Sequence, residues 1–253
     1  MRLKKRIGNR GGLSFLLVFA AIVAALPGAA CGFAVPERFV YDLTWAGIKA
    51  GTATLEISED KDGYRIVSTA ASANWVSVFY TVEDRIEAKL SKDSGFKFIG
   101  RSRSYRVKIR EGRHRRDKEV TFDHARRKAL FADYLESKRK EYDIERDVFD
   151  PLSALFFIRL QKFQIGKSLH VDVFDSKKNW DVEVQVLRKE RISTKAGEID
   201  TVVIKPLLQS EGIFNRKGDV IIWLTDDDRR IPVKLQSKVP VGSVNATLVE
   251  GFY

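Results

Sequence analysis

The chain has 253 residues, with 45 Lys and Arg against 34 Asp and Glu, three histidines and one cysteine, Cys31. A single cysteine excludes an internal disulfide framework and a Cys-rich metal module, so the fold must rest on its apolar core. The length suits one large domain.

Residues 1–34 read as a secretory leader. Arg2, Lys4, Lys5, Arg6 and Arg10 precede the uncharged apolar run LSFLLVFAAIVAAL at 13–26, which Pro27 and Gly28 end. That run is short for a membrane span and has the layout of a signal peptide. Small residues at Gly32 and Ala34 suit cleavage after Ala34, leaving residues 35–253 as a single mildly basic, β-rich domain in the periplasm. A retained N-terminal anchor is the first alternative. Lipidation at Cys31 is the second, although Gly28 stands where a lipidation signal places an aliphatic residue.

Beyond the leader the pattern has period two. Phe39, Tyr41, Leu43 and Trp45 share one face; Ala53, Leu55 and Ile57 share another; Val82, Asp84, Ile86, Ala88 and Leu90 a third. Alternation of this kind predicts strands with one buried face. The segment ANWVSVFY at 73–80 interrupts it as a short helix or apolar crossing. Residues 101–118 carry nine Lys and Arg and read as a β-ribbon turning at Glu111-Gly112. Its alternation puts Arg101 and Arg103 with Tyr105, Val107 and Ile109, and puts Arg106, Lys108 and Arg110 on the opposite face. Residues 136–149 form a charged connector, with a short strand possible at 141–145.

The stretch DPLSALFFIRLQKFQ at 150–164 is the best helix, with Asp150 as cap, Pro151 in the first turn and Gly166 at the end. Its apolar residues go nearly all round, which predicts burial. Further strands follow at 169–174, 180–188, 199–205, 219–225, 232–239 and 244–252. Turn signals stand between elements at Asp62-Gly63, Ser94-Gly95, Ala196-Gly197, Lys217-Gly218-Asp219 and Val241-Gly242. About a dozen strands predict a mainly β fold, a curled antiparallel sheet or incomplete β-barrel wrapping one buried α-helix.

Candidate chemistry is sparse. Asp226, Asp227 and Asp228 lie between two strands, where Asp serves turns by bonding nearby amides. The loop lacks the alternate oxygens, Gly and Glu of a calcium-binding EF-hand loop. His114, His124 and His170 form no zinc-type spacing. Nucleophile-elbow, Walker and dinucleotide glycine patterns are all missing. No catalytic residue, metal ligand or cofactor is therefore assigned, and the chain reads as a non-enzyme.

Two features point to binding. Trp45, Trp75, Phe79, Tyr80, Phe156 and Phe157 could line an apolar cavity between sheet and helix, the alternative being a filled core. Arg101, Arg103, Arg106, Lys108 and Arg110 make a positive stripe. In an exported protein such a stripe suits anionic headgroups rather than nucleic acid, the alternative being a solvated outer sheet face.

The runs YDLTWAGIKAGTATLEI (41–57), DPLSALFFIR (150–159) and WLTDDDRRIPVKL (223–235), in that order, resemble the exported bacterial family called domain of unknown function 3108, over about residues 37–252. The resemblance implies a β-rich periplasmic or envelope protein with no assigned reaction. The Trp–turn–Pro–Val hairpin is also similar to one in periplasmic lipoprotein carriers, which are curled sheets closed by helices around an apolar cavity. Neither resemblance carries over a catalytic residue. The expected role is binding of a lipid-like or acyl ligand in a barrel-type interior. The alternative is an envelope assembly or structural factor that binds another protein and has a packed core.

Overall fold

The apolar faces of the strands dictate the architecture: most of the described strands alternate and turn one side to a common core. The computed structural model describes residues 34–92, 100–145, 147–195, 197–207, 220–239 and 242–253. The leader up to Phe33, Cys31 and the turns at Ser94-Gly95 and Lys217-Gly218-Asp219 lie outside the described residues. The first half of the chain forms β1 (Glu37–Trp45), β2 (Ile48–Asp60), β3 (Gly63–Ser72), helix α1 (Asn74–Ser77), β4 (Glu83–Ser91), β5 (Arg101–Glu111), β6 (His114–Asp123), β7 (Lys128–Asp133) and β8 (Lys138–Asp143). Helix α2 (Pro151–Arg159) follows, then β9 (Ser168–Asp175), β10 (Lys178–Thr194), β11 (Gly197–Pro206), β12 (Val220–Thr225), β13 (Pro232–Lys238) and β14 (Ser243–Phe252).

The fourteen strands of the described residues form one antiparallel sheet in the order β8-β7-β6-β5-β4-β3-β2-β1-β14-β13-β12-β11-β10-β9. The first strand is therefore central. β1 pairs with β2 on one side and with the last strand, β14, on the other. One meander runs outward from β1 to β8, and the other runs inward from β9 to β14.

The sheet is not closed, since β8 and β9 are its two edges. Residues 144–145 and 147–149 lie between those edges. The Phe149 N–H donates to the Asp172 carbonyl at 2.9 Å, and the Phe174 N–H donates to the Phe149 carbonyl at 2.8 Å. Asn179 Nδ2 donates to the Asp143 carbonyl at 3.0 Å, while its Oδ1 accepts the Glu145 N–H at 3.2 Å.

Helix α2 begins as its sequence dictates. The Asp150 carboxylate accepts the N–H groups of Leu152 and Ser153, and Pro151 occupies the first turn. It ends earlier than the apolar run suggests, at Arg159 rather than Gln164. The N–H groups of Leu160 and Gln161 bond three residues back, to the Phe157 and Ile158 carbonyls, which tightens and closes the last turn. Leu152, Ala154, Phe156 and Ile158 are buried in the same apolar cluster as the inner faces of the strands.

Arg159, the last helical residue, is buried as well. Its guanidinium donates twice to the Glu37 carboxylate, at 2.8 and 3.0 Å, and to the carbonyls of Arg229 and Arg230, both at 3.0 Å. This bidentate pair ties the helix end to β1 and to the aspartate-rich turn.

Candidate functional site

Along β1 the inward side chains grow steadily more open. Phe39 is fully buried and Tyr41 nearly so, whereas Trp45 is 40% exposed. Beyond Trp45 the β1–β2 hairpin turns through Ala46 and Gly47, both at positive φ. Here a cavity of about 510 Å³ opens, lined by Trp45, Trp75, Phe79 and Tyr80 with Leu43 and Val244. Three of these aromatic side chains come from α1 and the residues after it. The Trp75 Nε1–H donates to the Lys49 carbonyl at 3.0 Å, which fixes α1 over the start of β2.

A second cavity of about 320 Å³ lies further along the same faces. Tyr41, two residues before Leu43, lines it, as does Ala246, two residues after Val244. Helix α2 contributes Leu152, Ala154, Leu155 and Ile158. Both volumes fall in the range of small-molecule pockets, about 300–1,000 Å³.

The structure thus gathers four of the six aromatics singled out in the sequence and separates the other two. Phe156 is fully buried, with the Arg159 guanidinium 5.1 Å from its ring centroid. Phe157 stacks on Phe149 at 4.6 Å. Successive helix residues turn by about 100°, so Phe156 and Phe157 lie opposite the side that Leu155 and Ile158 turn to the cavity. An all-round apolar helix hides this division, and Leu155 and Ile158 were missed for that reason.

The inner cavity has a few polar groups. Asp84 and Glu111 line it, with Thr54 and Ser68. Burial, with the nearby Glu111 carboxylate second, pushes Asp84 up to about 6, against the Arg110 N–H that donates to its Oδ1 at 3.1 Å. Trp180 also lines the cavity and keeps a buried indole N–H without an acceptor among the described residues. The Tyr41 hydroxyl is committed to the Pro232 carbonyl at 2.9 Å.

The arginine ribbon differs from its alternation. The β4–β5 register shifts between Lys89 and Leu90, which pair with Ser104 and Ser102 respectively. Arg103 is therefore the extra residue of a bulge, and a bulge reverses the facing of what precedes it. Ser102 takes the buried position, and Arg103 is exposed rather than sharing the buried face of Tyr105, Val107 and Ile109. Most of these cations are also paired. Arg101 meets Asp147 at 3.1 Å, Arg103 meets Asp62 at 3.4 Å, and Arg110 meets Glu83 at 2.8 Å. Arg106 lies between Asp117 and Glu119 and stacks on the Tyr134 ring. Lys108 is exposed and makes no ion pair among the described residues.

The aspartates of 226–228 form a turn. Asp227 Oδ1 accepts from Thr225 Oγ1 at 2.6 Å and from the N–H groups of Arg229 and Arg230, each at 3.2 Å. Asp226 pairs with Lys189 at 2.5 Å. The three histidines are dispersed: His114 accepts from Arg116, His124 bonds the Ser102 carbonyl, and His170 meets Asp181. Buried Asp150 accepts the hydroxyls of Ser102 and Ser153 at 2.5 Å each and the N–H groups of Leu152 and Ser153, so its carboxylate is taken up in capping α2 and tying it to β5. Among the described residues no group of three or more His, Cys, Asp or Glu could hold a metal ion, and no helix is long and apolar enough to cross a membrane.

The model of the family described as protein of unknown function (DUF3108) matches residues 40–249. No curated protein matches the chain. Among solved structures, the fold is similar to a beta-barrel-like protein of domain of unknown function DUF1849 from Brucella abortus. The TM-score is 0.55 at 12% identity, covering 87% of this chain and 98% of that one. This likeness shows the fold alone. Neither match carries the resemblance to lipoprotein carriers.

Proposed function

Because the chain belongs to the DUF3108 family, whose description assigns no activity, its role has to be argued from the site, and we propose that it is a non-enzymatic periplasmic protein of the envelope that holds a lipid-like or acyl ligand. In this reading the curled sheet wraps α2, and the ligand's apolar chain lies in the cavity beside Leu155 and Ile158. One observation carries the proposal. Two apolar cavities follow one another along the inner faces of β1 and β14, and the outer one opens between aromatic side chains. Burying apolar chain there contributes roughly 0.8 kcal/mol per methylene, while Asp84 or the Trp180 N–H can bond a polar atom of the ligand.

The test is saturable uptake of a fluorescent long-chain fatty acid by the purified protein, with native mass spectrometry of the protein as cells produce it. Ala246→Trp should fill the inner cavity and lower uptake by about tenfold or more, the loss of roughly two buried methylenes, without lowering the unfolding temperature. A protein that emerges bare and takes up no acyl chain sinks the reading. A single dominant protein partner crosslinked in cells would then favour an assembly factor. Asp84 is a cavity-wall carboxyl whose pKa burial raises, the kind of group acid–base work would use. Undiminished activity of Asp84→Asn cells is expected if the protein does no chemistry there.

A further inference from the structure

The mouth of the outer cavity bears an apolar surface that the interior does not require. Ile48, Val78 and Phe79 are 60, 76 and 86% exposed, beside Trp45, Trp75 and Tyr80, each at least 40% exposed. Clustered apolar side chains turned to water mark a docking surface.

Cations border this surface on two sides. The β5–β6 turn is pressed against Tyr80: the Gly112 N–H donates to the Thr81 carbonyl at 2.8 Å, and a Cβ on Gly112 would stand 2.7 Å from the Tyr80 ring. Arg113 in that turn and Arg115 at the start of β6 are both exposed. Arg115 donates only to the carbonyls of Gly112 and His114, and neither arginine has a carboxylate partner among the described residues. Near Trp45, Asp42 is met by two ammonium groups, Lys49 at 2.5 Å and Lys195 at 2.9 Å, so one positive charge is left unbalanced.

We infer that this mouth docks on an anionic bilayer surface, with Ile48, Val78 and Phe79 entering the boundary between headgroups and acyl chains and Arg113 and Arg115 meeting lipid phosphates. The chemistry matches on both counts. Trp and Tyr favour the membrane interface, and each basic side chain near an anionic leaflet contributes about 1 kcal/mol. Apolar insertion and charge together give the two signals that reversible membrane attachment needs. The headgroup contact thus moves from the ion-paired ribbon to its tip. The inference rests on the lipid reading of the interior, because an acyl chain could then pass between bilayer and cavity without meeting water.

Vesicles whose acyl chains carry bromine quench only indoles that reach them. The four tryptophans are Trp45 and Trp75 at the mouth, Trp180 inside and buried Trp223. With roughly 30% phosphatidylglycerol, quenching is expected, and it should vanish when Trp45→Phe and Trp75→Phe are combined. Arg113→Glu with Arg115→Glu should weaken binding by about tenfold or more, and Ile48→Asp with Val78→Asp should abolish it. None of these four residues lines either cavity, so fatty-acid uptake in solution should be unchanged. No quenching, equal quenching on neutral phosphatidylcholine vesicles, or indifference to the four changes would overturn the inference. So would a lipid-free dimer that the same changes dissolve. Loss of uptake with docking intact would count against the proposed function instead.

Discussion

Glu37 stands on β1, 122 residues from the guanidinium that neutralises it. Burial pushes its carboxyl up, and the hydrogen bonds and charge of Arg159 pull it back. Arg159→Leu leaves that carboxyl buried and unpaired, which costs roughly 3–5 kcal/mol. The penalty falls on the ionised form. The deficit seen in urea unfolding should therefore shrink as the pH falls and Glu37 takes up a proton, and adding Glu37→Gln should recover part of it. An equal deficit at all pH values would point to lost packing rather than charge. Asp84 gives a prediction of its own. Its pKa is raised from 3.8 to about 6 by burial first and Glu111 second, so the folded chain binds this proton more tightly than the unfolded chain. Its contribution to stability is fully present below 3.8 and is lost as the pH rises through about 6. Asp84→Asn should therefore raise the melting temperature above the wild-type value at neutral pH but not at about pH 3, well under both values. A constant difference across that window would refute the assignment.

At the scale of elements, much was legible and the failures have physical causes. Strands with one wet face, such as β1 and β4, show clean alternation and were found. β3 was missed because Ile66 and Val67 are both buried, which breaks period two. β8, an edge strand of sequence KRKEYD, was read only in part, as a short strand at 141–145, because it has no buried apolar face to read, and such charged edges resist pairing with other chains. The bulge at Arg103 is set by pairing with β4, across more than ten residues, so local alternation gave the wrong facing for Arg101 and Arg103. The aspartate turn was legible because its chemistry is local, and that chemistry separates its members. Asp227 accepts three hydrogen bonds; burial raises its pKa, but the Thr225 hydroxyl and the turn amides outweigh burial and lower it. Asp227→Ala should cost about 1–2 kcal/mol in chemical denaturation. Asp228→Ala should cost under about 0.5 kcal/mol, as surface changes do. If Asp228→Ala were the more damaging of the two, the turn would have a role beyond its own geometry.

For the whole molecule, the class of fold was legible but the order of its strands was not. A central N-terminal strand paired to the C-terminal strand is a contact across the full chain, invisible to any local pattern. The same holds for the mouth, where Trp45 meets Trp75 and Tyr80 only because β1, β2 and β3 pair in sequence and return α1 to the hairpin end. The weak point of such a sheet is the gap between β8 and β9. Phe149 spans it with two backbone hydrogen bonds to β9, and its buried ring stacks on Phe157 of α2. Phe149→Ala removes the ring and keeps the backbone bonds, so it should cost roughly 3–5 kcal/mol, as for other buried phenylalanines. The loosening should also be uneven. Backbone amides of β9 should exchange with deuterium faster, because their cover depends on the sealing segment. Those of β1, held between β2 and β14 in mid-sheet, should slow or speed only with global stability. Uniform acceleration across the sheet would mean that the gap is no separate unit, and that the two meanders open together.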